Sequence, residues 1–389
     1  MARMIRKSGQ IPSAAEYEPS HAGAEFEPYV PLVQPFLPPL DRMLPLLEEI
    51  WARRRVTNDG PVQRRLEAAL QDQLGWQNVV ATANGTLALQ LACRSLNLDG
   101  EVIAPAFTFP ATVQALLWNS LVPVLVDVEP DHLTIDVNAV SAAITPRTTA
   151  IVAVHTFGYP ADVLALQKVA DRHGLALVYD AAPAVGVRVH GQTITAFGDV
   201  SAVSFHATKV MHTVEGGAVA TPHRWVAESV RRLRNFGLGE SAPALPEGTN
   251  AKLNELQAAV GLLVLDALGK EITSRADAMG LYSARLAGIP GVRLLEPKTG
   301  VQPNHAYAVV RLRNDGQPMA DVVHRRLQAS RIDSRRYFDS RFQLAGSLPK
   351  KDTPVADQAV ADVLCLPLWG SIPHQVIRRV SLLVAEAMT

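Results

Sequence analysis

Lys209 closes the run Ser204-Phe205-His206-Ala207-Thr208-Lys209, downstream of Asp180 in Val178-Tyr179-Asp180-Ala181-Ala182 and just ahead of Gly216-Gly217. An amine that forms a Schiff base needs a partly desolvated pocket, so that its pKa falls and the free base is present. An aspartate at the end of the preceding strand can hold a pyridine nitrogen in its protonated form. A lysine to carry the cofactor and an acid to keep its ring electron-poor are the protein's share of pyridoxal phosphate (PLP) chemistry. Each residue also has a plainer reading: Lys209 as a solvated strand end, Asp180 as the cap of the next turn.

Three further stretches bear on a ligand. Asn84-Gly85-Thr86 lies between a strand and a helix. A glycine there lets the backbone approach an anion, and the following helix offers free N–H groups. A helix cap built by Asn and Thr is the plainer reading, and the two are compatible. Ser204 is a candidate phosphate ligand. Phe109 in Phe107-Thr108-Phe109 is a candidate to stack on an aromatic ring, with a core phenylalanine as the default. His206 and His212 flank the lysine; one is expected to pack against the strand and the other to face substrate or solvent. The clusters Arg53-Arg54-Arg55 and Arg331, Arg335, Arg336 read either as solvated faces or as grips for a nucleotide diphosphate.

The elements that must carry these residues read as an α/β alternation. Short apolar strands are predicted at Asn78–Thr82, Glu101–Ala104, Pro123–Val128, Thr149–Val154, Ala176–Tyr179 and Val200–Phe205. Val/Ile/Leu runs of this kind suit strands buried on both faces of a mostly parallel sheet. Helices are predicted from Pro61 to the stop at Gly75, and over Thr86–Leu96, Pro110–Asn119 and Asp162–His173. Gly217–Thr221 reads as a strand that reverses direction after its glycine pair. In open α/β sheets ligands gather at the carboxyl ends of the strands, where Asn84, Asp180 and Ser204 all fall.

Pro31 to Pro39 is expected to run extended, after a loose arm over residues 1–30. A long helix is expected to start near Lys252 and run towards Ala276. Beyond it the pattern becomes α+β, with strands near Ala306–Leu312 and Ile332–Ser334 and helices around Ala320–Gln328 and Pro373–Ala387. The division expected is a large domain over 31–265 and a smaller one over 266–389, the boundary lying inside the long helix.

With 389 residues, 37 basic against 37 acidic side chains and 48% hydrophobic content, no net field argues for nucleic acid or a membrane surface. The two cysteines, Cys93 and Cys365, sit in apolar runs without metal-ligand spacing. A cytoplasmic, reduced protein with no bound metal is the expectation. No G-x-G-x-x-G follows the first strand, which disfavours a nicotinamide enzyme.

Taken in order, the motifs resemble those of the DegT/StrS-type nucleotide-sugar aminotransferases, PLP enzymes of fold-type I. They are Asn84-Gly85-Thr86-Leu87-Ala88-Leu89, the Pro105-to-Thr112 stretch with Thr108-Phe109, Pro123–Asp127 with Asp136, and His155-Thr156-Phe157-Gly158. Asp180-Ala181-Ala182, Ser204-Phe205 with Lys209, Glu215-Gly216-Gly217, Gly248-Thr249-Asn250-Ala251-Lys252 and Leu364-Cys365-Leu366-Pro367-Leu368 complete the set. The resemblance implies that Lys209 is the Schiff-base lysine, Asp180 the partner of the pyridine nitrogen and Phe109 the stacking aromatic. It makes Ser204, Gly85 and Thr86 phosphate ligands. Asn250 would reach the cofactor phosphate of the other subunit, which implies a homodimer with shared active sites.

The resemblance further implies transfer of an amino group from L-glutamate to a nucleotide-linked keto-sugar. Tyr29–Pro39, Thr57–Pro61 and Ser204–Lys209 look like the subgroup acting on C4 of dTDP-4-keto-6-deoxyglucose. C3 amination, a PLP-dependent dehydratase and a non-catalytic PLP-fold protein are the alternatives. Related sugar 3-dehydratases carry histidine at the lysine position, so Lys209 favours transamination. One departure stands at Pro183, where the family often places Gln or His near the cofactor's phenolic oxygen.

Overall fold

A computed structural model describes residues 29–239, 243–338 and 352–389; most of the arm expected over residues 1–30 lies outside them. Helices α1 (Leu40–Arg53) and α2 (Pro61–Leu74) precede strand β1 (Val79–Thr82). There follow α3 (Gly85–Ser95), β2 (Glu101–Pro105), α4 (Pro110–Trp118), β3 (Val122–Val126), α5 (Val137–Ala143) and β4 (Thr148–Val154). Next come α6 (Val163–His173), β5 (Ala176–Asp180), the short β6 (Arg188–Val189) and β7 (Gln192–Thr193), β8 (Val200–Ser204), β9 (Gly217–Ala220) and α7 (Arg224–Leu233). Pro61 at the first turn and Gly75 in the left-handed C-cap bound α2 as the sequence signals imply.

Seven of these strands form one sheet in the order β1-β9-β8-β5-β4-β2-β3. All its pairings are parallel except those of β9, which runs against both β1 and β8. Strands β1, β2, β5 and β8 are buried almost throughout, as a sheet covered on both faces requires. One core layer sets Leu66, Leu70, Val79, Phe205 and Leu265 together; another sets Leu89, Val102, Leu116, Val152 and Val230 together.

Helix α8 (Glu255–Leu286) begins at an Asn254 side chain that accepts a hydrogen bond from the Gln257 N–H. It starts three residues later than expected and runs ten further than Ala276. Its first half, with Ala258, Val264 and Leu268, packs in the core of the large sheet. The second half packs Ala278, Met279, Tyr282 and Leu286 into a second core. That second burial is why the helix outlasts its sequence estimate.

The rest of the chain is β10 (Val292–Leu294), β11 (Val301–Gln302), β12 (Ala308–Asn314), β13 (Gln317–Pro318), α9 (Ala320–Ala329), α10 (Pro354–Asp362), β14 (Val363–Leu366) and α11 (His374–Met388). A four-stranded antiparallel sheet forms around β12, flanked by β10, β13 and β14. The strand expected over Ile332–Ser334 is not one. Ile332 bridges Val30 and Arg335 bridges Cys365, so the backbone there pairs one residue at a time with two different partners. Val30 is buried in the second core, and the Leu368 N–H donates to the Leu32 carbonyl, so the segment after residue 29 is anchored to the second sheet. No helix among the described residues is long and apolar enough to cross a membrane.

Candidate active site

The carboxyl ends of β1, β2, β4, β5 and β8 open onto a cavity of about 290 Å³. Six of the seven residues singled out in the sequence line it: Gly85, Thr86, Phe109, Asp180, Ser204 and Lys209. Asn250 does not. It is exposed, and its backbone bridges Asn235 beyond the cavity wall.

Asn84 caps α3, its side chain accepting from the Leu87 N–H at 2.8 Å. The first-turn N–H groups at Gly85 and Thr86 have no partner within the helix and give that end a partial positive charge. A Cβ on Gly85 would lie 2.7 Å from the Ser204 Cβ, and one on Gly217 would lie 2.6 Å from the Asn84 carbonyl carbon. Glycine at both positions therefore lets the helix end, Ser204 and the start of β9 close into one concave cradle. The cap and the candidate anion site coincide here.

Asp180 ends β5 and is 8% exposed. Its Oδ2 accepts from Thr112 Oγ1 at 2.7 Å, and Thr112 Oγ1 lies 2.7 Å from Thr108 Oγ1. Oδ1 accepts from the Ala182 N–H at 3.1 Å, so the carboxylate also serves the turn that follows. Burial pushes the Asp180 carboxyl above its ordinary range, opposed by the Thr112 and Ala182 hydrogen bonds and by the charge of Lys209. A buried acid of this kind favours a cationic partner placed against it.

Lys209 sits on the loop that joins β8 to β9. The Phe205 N–H donates to the Gly216 carbonyl, which closes that loop at its base. Burial holds the ammonium below the usual lysine range, with Tyr337 and Asp180 pulling the other way. Nζ donates to Tyr307 Oη at 3.1 Å. At the mouth His206 Nε2 lies 3.6 Å from Glu215 Oε1, and both residues line the cavity. His212 is buried, its Nε2 lying 2.8 Å from the Phe36 carbonyl oxygen, and it pins the extended N-terminal segment. The two histidines thus divide between surface and packing roles.

Phe109 is 56% exposed and not a core residue; its ring meets that of Phe338 edge-on at 6.4 Å. Pro183 lines the wall and offers no side-chain donor there, and its carbonyl accepts from Asn304 Nδ2 at 2.8 Å. Of the two arginine clusters only Arg335 reaches the cavity. Arg53 pairs with Glu49, Arg55 donates to the Asn58 and Asp59 carbonyls, and Arg336 pairs with Asp321.

Sequence reasoning missed Thr112, Tyr307, Tyr337 and Phe338. Thr108 stands just ahead of the α4 cap and Thr112 in the helix's first turn. Two hydroxyls four residues apart across a helix start were the available signal for Thr112, which lies at the end of the Pro105-to-Thr112 motif. The other three come from beyond α8, and no local pattern ties them to the lysine.

The residues present fit pyridoxal phosphate. The glycine-lined helix end with Ser204 and Thr86 suits a phosphate. The buried carboxylate of Asp180 suits a ring cation, Phe109 a ring face, and Lys209 a covalent link.

Comparison with known proteins points the same way. A dTDP-4-amino-4,6-dideoxy-D-glucose transaminase of Escherichia coli is 33% identical over 379 residues, covering 92% of this chain and 99% of that enzyme. A dTDP-3-amino-3,4,6-trideoxy-alpha-D-glucose transaminase of Streptomyces venezuelae is 36% identical over 323 residues, 81% of this chain and 83% of that one. The crystal structure of DesI in the presence of its TDP-sugar product matches with a TM-score of 0.89 at 36% identity, over 94% of this chain and 95% of that one. Residues 41–384 match the model of one family, and their span takes in both sheets and every cavity residue named above. The fold agrees with that match, and the chain belongs to the DegT/DnrJ/EryC1/StrS aminotransferase family.

Proposed function

We propose that this protein is a PLP-dependent transaminase that moves the amino group of L-glutamate onto C4 of dTDP-4-keto-6-deoxyglucose. The observation that carries the reaction type is the pairing of Lys209 and Asp180 on one cavity, beside a glycine-lined helix end. The choice of sugar rests on the E. coli relative, whose match extends over nearly both full lengths. The 36% identity to the S. venezuelae enzyme keeps C3 amination as the second reading.

When bound, PLP supplies an electrophilic carbon and a ring that takes up the electron pair left as a C–H bond breaks. The chain's own residues supply the rest. Asp180, fixed by Thr112 and the Ala182 N–H, holds a proton on the ring nitrogen. Lys209 Nζ, whose charged form burial disfavours, takes the proton from the donor's α-carbon and returns it. Ser204, Thr86 and the Gly85 N–H hold the phosphate, and Phe109 covers one face of the ring. Arg335 faces the same cavity and offers a guanidinium to an anionic part of either substrate.

Asn250, exposed and outside this cavity, is free to reach the phosphate bound by a second copy, and we read the working unit as a homodimer with shared sites. We place the division of labour within the chain at 31–265 and 266–389, and the protein in the cytoplasm. The test is an absorbance spectrum of the purified protein before and after L-glutamate. A visible band that gives way to the near-ultraviolet amine form supports transamination, and the keto-sugar that restores the band names the acceptor. A band unmoved by amino donors sinks the reading in favour of the dehydratase or non-catalytic alternatives.

Asp180→Asn is expected to slow the glutamate half-reaction about 100-fold or more, because the amide cannot stabilise the protonated ring nitrogen. Rapid-mixing absorbance on the loaded variant reads this directly. A rate within a few-fold of wild type would remove Asp180 from that role.

A further inference from the structure

We propose that Tyr307 is the positioning residue for Lys209, its hydroxyl holding Nζ in place in both protonation states of the amine. The inference rests on the transaminase reading for its consequence, although the tie itself is independent of the reaction. Tyr307 directly precedes β12, so it reaches the lysine from the second half of the chain. Its Oη lies 3.1 Å from Nζ, and Nζ stands 5.6 Å from the centre of its ring.

A lysine that shuttles a proton alternates between ammonium and amine. A carboxylate or carbonyl partner accepts from the ammonium but has nothing to donate to the amine. A hydroxyl does both, so the contact survives each transfer. The partner must also keep its own proton, and Tyr307 does: burial pushes its pKa well above the ordinary tyrosine range, against smaller pulls from Arg335, Arg275 and Tyr337. The hydroxyl therefore orients Nζ without becoming a competing acid.

The ring is itself held. Phe157 meets it edge-on at 5.5 Å, and Tyr337 stands perpendicular at 6.0 Å. Phe157 adopts a left-handed backbone with φ 57°, an unfavourable state for an aromatic residue, at the carboxyl end of β4. The groups that share the cavity with Nζ are Asp180, His206, Glu215, Arg335, Tyr307 and Tyr337. Among them Tyr307 makes the hydrogen bond to Nζ.

The test compares wild type with Tyr307→Phe, which removes one oxygen and keeps the ring. On the loaded enzyme, the maximal rate of the glutamate half-reaction should fall about 10-fold, the scale of one charge-assisted hydrogen bond, with the half-saturating glutamate concentration unchanged. On the full chain stripped of cofactor, the pH dependence of Lys209 reductive methylation, read by mass spectrometry, should move to lower pH. The sign follows because the hydroxyl's charge-assisted bond to the ammonium is stronger than its neutral bond to the amine, so removing the oxygen costs the ammonium more while the surrounding burial stays. An unchanged maximal rate, or an unmoved methylation midpoint, overturns the proposal. If wild type does not react with glutamate, the transaminase reading fails separately, and the midpoint alone decides whether Tyr307 governs Lys209. Should the phenylalanine variant fail to fold, Tyr307→Leu is read in the same two ways.

Discussion

Lys209→Ala should lower amino transfer by roughly 10⁴-fold or more, because one atom is asked to do two things. In the proposed reaction Nζ would make the covalent link to the cofactor and would move the proton on which transfer depends. Alanine removes both roles and leaves Asp180, Thr112, Ser204 and the α3 terminus untouched. Binding of the cofactor should therefore weaken but persist without a covalent bond, and the visible band of the lysine-linked form should vanish. The fold should hold, since Lys209 lies on a loop closed at its base by backbone and is only half-buried. Single-turnover absorbance with L-glutamate, beside a far-ultraviolet spectrum, separates lost chemistry from lost structure. Residual transfer within 100-fold of wild type would mean that another group carries the proton.

The largest expected effect on stability belongs to Arg275, which is 2% exposed on α8. Its Nε donates to Glu271 Oε1 at 2.7 Å, and Nη1 reaches the carbonyls of Ala306 and Leu368 at 3.4 Å. The Gly370 N–H donates to the same Glu271 oxygen at 2.9 Å. A single buried ion pair thus ties the long helix to two strand-flanking segments of the second sheet. Arg275→Ala strands Glu271 and the two carbonyls, at a cost of about 3–5 kcal/mol. The urea midpoint of the full chain reads that loss. Glu271→Gln with Arg275→Met should recover most of it, since no unpaired charge remains. Ala306 is the neighbour of Tyr307, so the single variant should also loosen the lysine's partner and slow transfer.

Much of the first sheet was legible because its strands are apolar on both faces and its helices carry their own stops. The predicted strand at Ala176–Tyr179 differs from β5 by one residue, and Asp180 falls at its end as the pattern required. The lysine, the aspartate and the Asn84-Gly85-Thr86 turn were readable because each sits where a strand gives out. Helix α1 was not read: it follows a proline run and contains Pro45, which masks its period. The extra turns of α8 were hidden because residues beyond Ala276 are held by a second core rather than by helix propensity. Arg335 and Arg336 are neighbours of one type, yet one faces the cavity and the other pairs with Asp321. Only the surrounding chain distinguishes them.

The cavity draws on residues from Asn84 to Phe338. Its walls come from segments on both sides of α8, so it is complete only once the two sheets have formed and α8 has joined them. Such wide sequence separation makes closure slow, since chain entropy is lost before the distant contacts form. A ligand of this cavity therefore recognises the finished molecule and not its precursors. Its binding draws the folding equilibrium toward completion by mass action. Were PLP that ligand, its supply would add to the stability of the finished fold, quite apart from its part in the chemistry.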